Sequence, residues 1–209
     1  MRGVLAALCL LVLAAAAPAR AVEIAVVPGP HFPILVVQGR FVPESDKRFL
    51  AALAANPGVG EIWLSSPGGS LGAGLAIGSV IRERRIATRV RAGATCASAC
   101  FFAFVGGFSR TVEPGGRIGL HNASRSGSDR YRQLITDVLL DPRYGSVDSR
   151  VEQIIIVTER FAASAAGAQA VHLVKMGVSL RVLDRIFDTY HTDIHWLTPS
   201  ELTSFNVVN

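Results

Sequence analysis

The sequence predicts an α/β domain: a largely parallel sheet joined by crossover helices, followed by a helical C-terminal part. From Val22 onward, short apolar runs of strand length alternate with stretches of helical periodicity, the pattern of successive βαβ units. Beyond residue 130 the strand-like runs give way to helical periodicity alone. In such sheets sites form beyond the carboxyl ends of strands, so the segments leaving strand ends are where chemistry is expected.

Taken in order, Glu23–Val27 and Pro33–Gln38 read as strands, and Pro43–Asn56 as a helix that places Phe49, Leu50, Leu53 and Ala54 on one face. Glu61–Leu64 reads as a buried strand running into Ser65-Ser66-Pro67-Gly68-Gly69-Ser70, with a helix from Leu71 to about Arg84. Ile86–Val90 is the next strand, Gly93–Cys100 a turn that enters an apolar helix ending near Val105, and Arg117–His121 a further strand. Residues 122–130 are polar and without periodicity, a solvated loop or a lid. Tyr131–Leu140, Val147–Ala163 and Leu180–Tyr190 read as helices, and Leu197–Phe205 as a short closing element.

The 209 residues suffice for one core and are too few for two independent ones. With 50% hydrophobic and 18% charged residues, the chain is not of the disordered class. Part of the apolar excess is local. Arg2 is followed by an apolar stretch from Gly3 to Ala17, then by Ala19-Arg20-Ala21. An apolar run of about fifteen residues before a small-x-small site reads as a signal peptide over residues 1–21, leaving 22–209 as a single domain exported to the periplasm or cell envelope. An uncleaved anchor is the alternative, though the run is shorter than the ~20 residues a spanning helix needs. Cys9 lies inside it without flanks that suit lipid attachment.

Without Arg2 and Arg20 the formal charge falls from +5 to +3. Lys47 and Lys175 are the only lysines, and no basic run interleaves with aromatics, so nucleic acid is not an expected partner.

Three segments could carry chemistry. In Gly93-Ala94-Thr95-Cys96-Ala97-Ser98-Ala99-Cys100 a serine with small neighbours stands at a helix N-terminus, where free N–H groups and the helix dipole stabilise an oxyanion. Alone, such a serine reads as an ordinary N-cap. Ser66-Pro67-Gly68-Gly69 lies between a strand and a helix, and paired glycines there leave backbone N–H groups open to an anion. His121 ends a strand that follows Pro114-Gly115-Gly116, which brings an imidazole to the same sheet edge.

The order Ser66-Pro67-Gly68-Gly69, then Gly93 through Ala97-Ser98, then a strand ending in His121, resembles the Clp peptidase subunit within the crotonase-like superfold. Leu197-Thr198-Pro199-Ser200-Glu201-Leu202 resembles the segment that closes that domain. The likeness covers Glu61 to His121 and resumes near Thr192. It implies Ser98 as nucleophile, His121 as its base, and the N–H groups of Gly68 and Ala99 as oxyanion donors. It places the orienting aspartate at Ile194, so Asp193, one residue early, is the candidate, with Asp184 and Asp188 as fallback and a Ser-His dyad as the remaining option. His172, His191 and His195 read as surface or packing residues.

Cys96 and Cys100 bracket Ser98. In an oxidising compartment a helical i, i+4 pair, with Cα atoms about 6 Å apart, can form a disulfide, which is the expectation. Free thiols, or metal ligation with His121, are the alternatives; the spacing is unlike a zinc knuckle, and neither metal nor cofactor is expected.

The function so implied is an exported, ATP-independent serine peptidase, homo-oligomeric, with no ATPase partner, acting on peptides or unfolded polypeptides. A Ser-Lys site using Lys175 is a variant on a similar fold. The competing class is a catalytically inactive crotonase-like envelope protein that binds or assembles through the same cleft. Acyl-CoA chemistry is disfavoured by export.

Overall fold

Aliphatic and β-branched residues fill the first strands, and their alternation decides which face each strand buries. The structure, a computed structural model, describes residues 21–209, so all of the predicted signal peptide except Ala21 lies outside the described residues. Strand β1 (Glu23–Val27) runs antiparallel to β2 (Ile34–Gln38), which pairs in parallel with β3 (Glu61–Ser65). Leu35, Val37, Ile62 and Leu64 are buried from the two central strands, while the edge strand β1 is mostly exposed. Helix α1 (Ser45–Ala55) crosses between β2 and β3 and buries Phe49 and Leu53.

Helix α2 (Leu71–Glu83) starts at Ser70, whose hydroxyl accepts from Ala73 N–H at 3.3 Å. It leads to β4 (Ala87–Val90), β5 (Thr95–Ala97), α3 (Ala99–Phe104), β6 (Arg110–Val112) and β7 (Arg117–Leu120). The main sheet has the order β1-β2-β3-β4-β6, parallel apart from β1. Strand β5 leaves it to pair with β7, and β7 pairs antiparallel with the short β8 (His195–Trp196). The result is a mixed α/β fold with a mostly parallel sheet.

Helix α3 is buried along its whole length, and α2 packs on it through glycine. A Cβ on Gly74 would strike the Ala99 carbonyl, and one on Gly78 the carbonyl of Phe102. That close approach seats the N-terminus of α3 against the start of α2.

After β7 come α4 (Asp129–Leu140), a 3-10 turn at Pro142–Tyr144, α5 (Val147–Met176), α6 (Val182–Asp188), then β8 and α7 (Pro199–Ser204). The sequence places the end of α5 near Ala163, where its apolar periodicity dissolves into the alanine-rich run Ala162–Ala170. Alanine favours helix without needing a periodic face, and α5 runs on past Ala163, 30 residues in all, until Gly177, at φ 69°, caps it. By length and composition α5 could cross a membrane, yet its C-terminal part belongs to the core: Ala165, Gln169, His172, Leu173 and Met176 are buried.

Three helix ends meet on a buried cation. Arg110 Nε donates to Val207 O at 2.9 Å, Nη2 to Asn206 O at 2.9 Å, and Nη1 to Met176 O at 3.2 Å and Val105 O at 3.3 Å. Arg82 Nη2 donates to the same Val105 and Met176 carbonyls at 3.1 and 3.0 Å. Carbonyls at helix C-termini carry partial negative charge, which offsets the desolvation of the guanidinium. Burial, with Arg82 nearby, lowers the pKa of Arg110 to about 10, so it stays cationic at neutral pH.

Candidate active site

The three sequence segments singled out for chemistry are stitched together by β5. Ser66 N–H donates to Thr95 O at 2.8 Å and Ala97 N–H to Ser66 O at 2.9 Å, which ties the Ser-Pro-Gly-Gly turn to one side of β5. On the other side Thr95, Cys96 and Ala97 pair with Arg117, Ile118 and Gly119, and Ser98 N–H donates to Gly119 O at 2.9 Å. The strand that ends next to His121 is therefore in register with the strand that ends at Ser98.

Ser98 occupies the turn between β5 and α3 with φ 55° and ψ −124°. A residue with a Cβ rarely adopts this conformation, and it persists only where its surroundings impose it. Here the constraints are the Gly119 hydrogen bond, the Gly68 backbone packed against Ser98 Cβ and Ala99 N, and the disulfide between Cys96 and Cys100, whose Cα atoms are 5.2 Å apart. Ser98 is not a capping serine, since its side chain accepts nothing from α3. A sharp strand-to-helix turn of this kind lifts a hydroxyl clear of the backbone. The joined cysteines are not available as thiols or metal ligands, and among the described residues no three His, Cys, Asp or Glu side chains gather as a metal site.

Ser98 and His121 line one cleft of about 540 Å³. Its lining comes from Arg40, Gly69, Ser70 and the first two residues of α2, from Ala99, Phe102 and Gln169, and from Ala123, Ser124, Arg125, Phe161 and His191. Ser98 Oγ makes no hydrogen bond to a described residue. His121 Nδ1 lies 2.8 Å from Asn122 O. A carbonyl only accepts, so Nδ1 carries a proton; in the neutral ring the lone pair then lies on Nε2, the tautomer a general base requires.

The expected oxyanion donors differ in their surroundings. Ala99 N–H is one of the first groups of α3, which no intrahelical carbonyl reaches. Gly68 N–H, in contrast, is held by Ser66 Oγ at 3.0 Å, and the glycine of the pair that lines the cleft is Gly69.

Asp193 is exposed and does not line the cleft. Its position follows from strand register. β8 pairs with β7 as Gly119↔Trp196 and Leu120↔His195, the last pair of the ladder; carried one step further, that register would bring Ile194, not Asp193, level with His121. Asp184 and Asp188, on α6, and Lys175, in the last turn of α5, also lie outside the cleft lining.

Of the remaining histidines, His172 is buried with Nε2 2.9 Å from Phe102 O, and burial lowers its pKa from the ordinary value. His195 pairs with Glu201 at 3.1 Å. His191 is exposed but lines the cleft, its Nε2 2.9 Å from Ser126 Oγ, a neighbourhood that its sequence surroundings do not signal. Arg40, Arg125 and Gln169 are likewise cleft residues that stand in no motif; only the folded approach of three distant segments brings them to Ser98. Neither the family models nor the curated proteins compared with the chain give a match.

Proposed function

We propose that this is an exported serine hydrolase that cleaves peptides or unfolded polypeptides without ATP, on an architecture like that of the Clp peptidases and the crotonase-like superfold. The observation that carries the reading is the conformation of Ser98: a strained serine at a strand-to-helix turn, ahead of a buried helix, in a cleft shared with a histidine of the basic tautomer.

In the proposed reaction Ser98 Oγ attacks the substrate carbonyl while His121 Nε2 takes its proton. The oxyanion accepts from Ala99 N–H and from the Gly68-Gly69 turn; Gly68 N–H can contribute only by leaving Ser66 Oγ, which favours Gly69. As the C–N bond breaks, Nε2 returns the proton to the leaving amine. Water then attacks the acyl-serine, giving its proton to Nε2, and the acid product leaves as the serine regains its own. Asn122 O orients the imidazole as a carboxylate would, but a neutral oxygen stabilises the imidazolium less, and turnover is expected to be slow.

No cofactor enters this chemistry. The apolar N-terminal run, read as an export signal, supports a place in the periplasm or envelope, away from an ATPase partner, and a homo-oligomer is the arrangement the resemblance implies.

A second reading, an inactive envelope protein that binds through the same cleft, is favoured by the missing carboxylate at His121. Incubating the 22–209 protein with an unfolded polypeptide such as denatured casein, without nucleotide, separates the two. Fragments released by wild type and not by Ser98→Ala support the hydrolase; none from either protein favours the binding protein.

A further inference from the structure

The permanently charged side chains around Ser98 are of one sign. Arg40 and Arg125 line the cleft, and among the described residues no aspartate or glutamate does. Neither arginine pairs with a carboxylate among the described residues. Arg89, Arg132, Arg143 and Arg185, by contrast, each meet an acidic side chain outside the cleft.

The two arginines come from different walls. Arg40 follows β2, in the segment whose next residue, Phe41, donates its N–H to Gly68 O at 2.8 Å. It is thereby held beside the glycine turn. Arg125 stands in the loop after β7, its Cζ 4.2 Å from the centre of the Phe161 ring and 5.5 Å from that of Tyr131. Stacking engages the flat face of a guanidinium and leaves the N–H groups around its edge for a planar acceptor.

The loop carrying Arg125 is itself anchored. Asn122 N–H donates to Thr189 O at 2.9 Å, Ser126 Oγ meets His191 Nε2 at 2.9 Å, and Arg132 Nη1 donates to Ser126 O at 2.7 Å. A cation held by stacking, on a loop held by hydrogen bonds, loses little freedom when an anion arrives.

We infer that the cleft selects carboxylate-bearing substrates, with Arg40 and Arg125 as the specificity-determining residues: peptides with an acidic side chain next to the scissile bond, or with a free C-terminal carboxylate within a residue or two of it. This rests on the hydrolase reading for its reaction, although the anion preference is a property of the cleft alone. Both arginines are exposed, so their attraction is screened by salt and each contributes a moderate factor rather than an absolute requirement.

The test uses quenched fluorescent peptides that differ only in Glu, Gln or Lys beside the cleaved bond, each made with a free and with an amidated C-terminus. kcat/KM is measured for wild type, Arg40→Gln and Arg125→Gln at low and high salt, and binding of the same peptides to Ser98→Ala is followed by anisotropy. The Glu peptide is expected to be preferred to its Gln counterpart about tenfold, with the ratio shrinking in either arginine variant and in salt. A preference for the free over the amidated C-terminus instead identifies the terminal carboxylate as the recognised group.

Cleavage with no difference among Glu, Gln and Lys peptides or between terminal forms overturns the inference and leaves the hydrolase standing. Tighter binding of acidic peptides by Ser98→Ala, with no cleavage by wild type, supports the inference and overturns the hydrolase. Neither cleavage nor charge-dependent binding overturns both.

Discussion

At the level of single residues, the site turns on what faces His121. Carried one step past its last pair, the β7–β8 register brings Ile194 level with it and leaves Asp193 in solvent, and among the described residues Asn122 O is the one group that orients the imidazole. Asp193→Asn is therefore expected to keep kcat/KM within about twofold of wild type, whereas loss of a true triad aspartate costs on the order of 10⁴ in kcat. Ile194→Asp is the informative converse. Ile194 is 43% exposed, so the change is cheap to accommodate, and it supplies a carboxylate at the register the base requires. Turnover should rise about tenfold or more, as imidazolium stabilisation would predict. A steady-state comparison of the two variants decides the point, and an unchanged Ile194→Asp together with an impaired Asp193→Asn would reverse the assignment.

The elements show why some of this could be read in sequence and some could not. Helix α2 reveals itself through its apolar run from Leu71, and the glycine turn and Ser98 through small residues between a strand and a helix. β5, β6 and β8 have three, three and two residues, too few for periodicity to register. They exist because neighbours supply hydrogen bonds, as Ser66 and β7 do for β5. The contact between α2 and α3 is equally silent in sequence, since Gly74 and Gly78 look like poor helix formers until the partner backbone is seen pressed against them. Gly74→Ala would improve local helix propensity yet force Ala99 away, and it is expected to destabilise the fold by about 1–3 kcal/mol in urea unfolding while lowering the reactivity of Ser98. A stabilised variant would mean that α2 and α3 are free to move apart.

The whole molecule closes on its C-terminal segment. The Leu197–Phe205 stretch, read in sequence as a short closing element, opens on a capping box: Thr198 Oγ1 accepts from Glu201 N–H, and Glu201 Oε2 accepts from Thr198 N–H at 3.0 Å. That backbone bond, with Arg185, His195 and the Thr198 hydroxyl, lowers the Glu201 pKa from 4.5 to about 2. A carboxylate depressed in the fold stabilises it fully above its ordinary pKa and loses that contribution as pH falls toward the folded value. His172, neutral and buried, acts in the same direction below its ordinary value of 6.5. Thermal stability should therefore decline on acidification, and Glu201→Gln, which keeps an acceptor for Thr198 N–H, should remove the part of the decline between pH 4.5 and about 2. An unaltered acid profile in Glu201→Gln would show that the carboxylate does not hold the closing segment. The cleft belongs to this scale too, because Arg40, Gln169 and His191 share it only through the complete fold.

The central claim is that the fold activates Ser98, and fluorophosphonate labelling of the 22–209 protein, read by intact mass and located by peptide mapping, tests it most directly. The structure leads us to expect one adduct, on Ser98, absent from Ser98→Ala and strongly reduced in His121→Ala. Folded wild-type protein that takes up no probe, or labels at the same rate without His121, would contradict it.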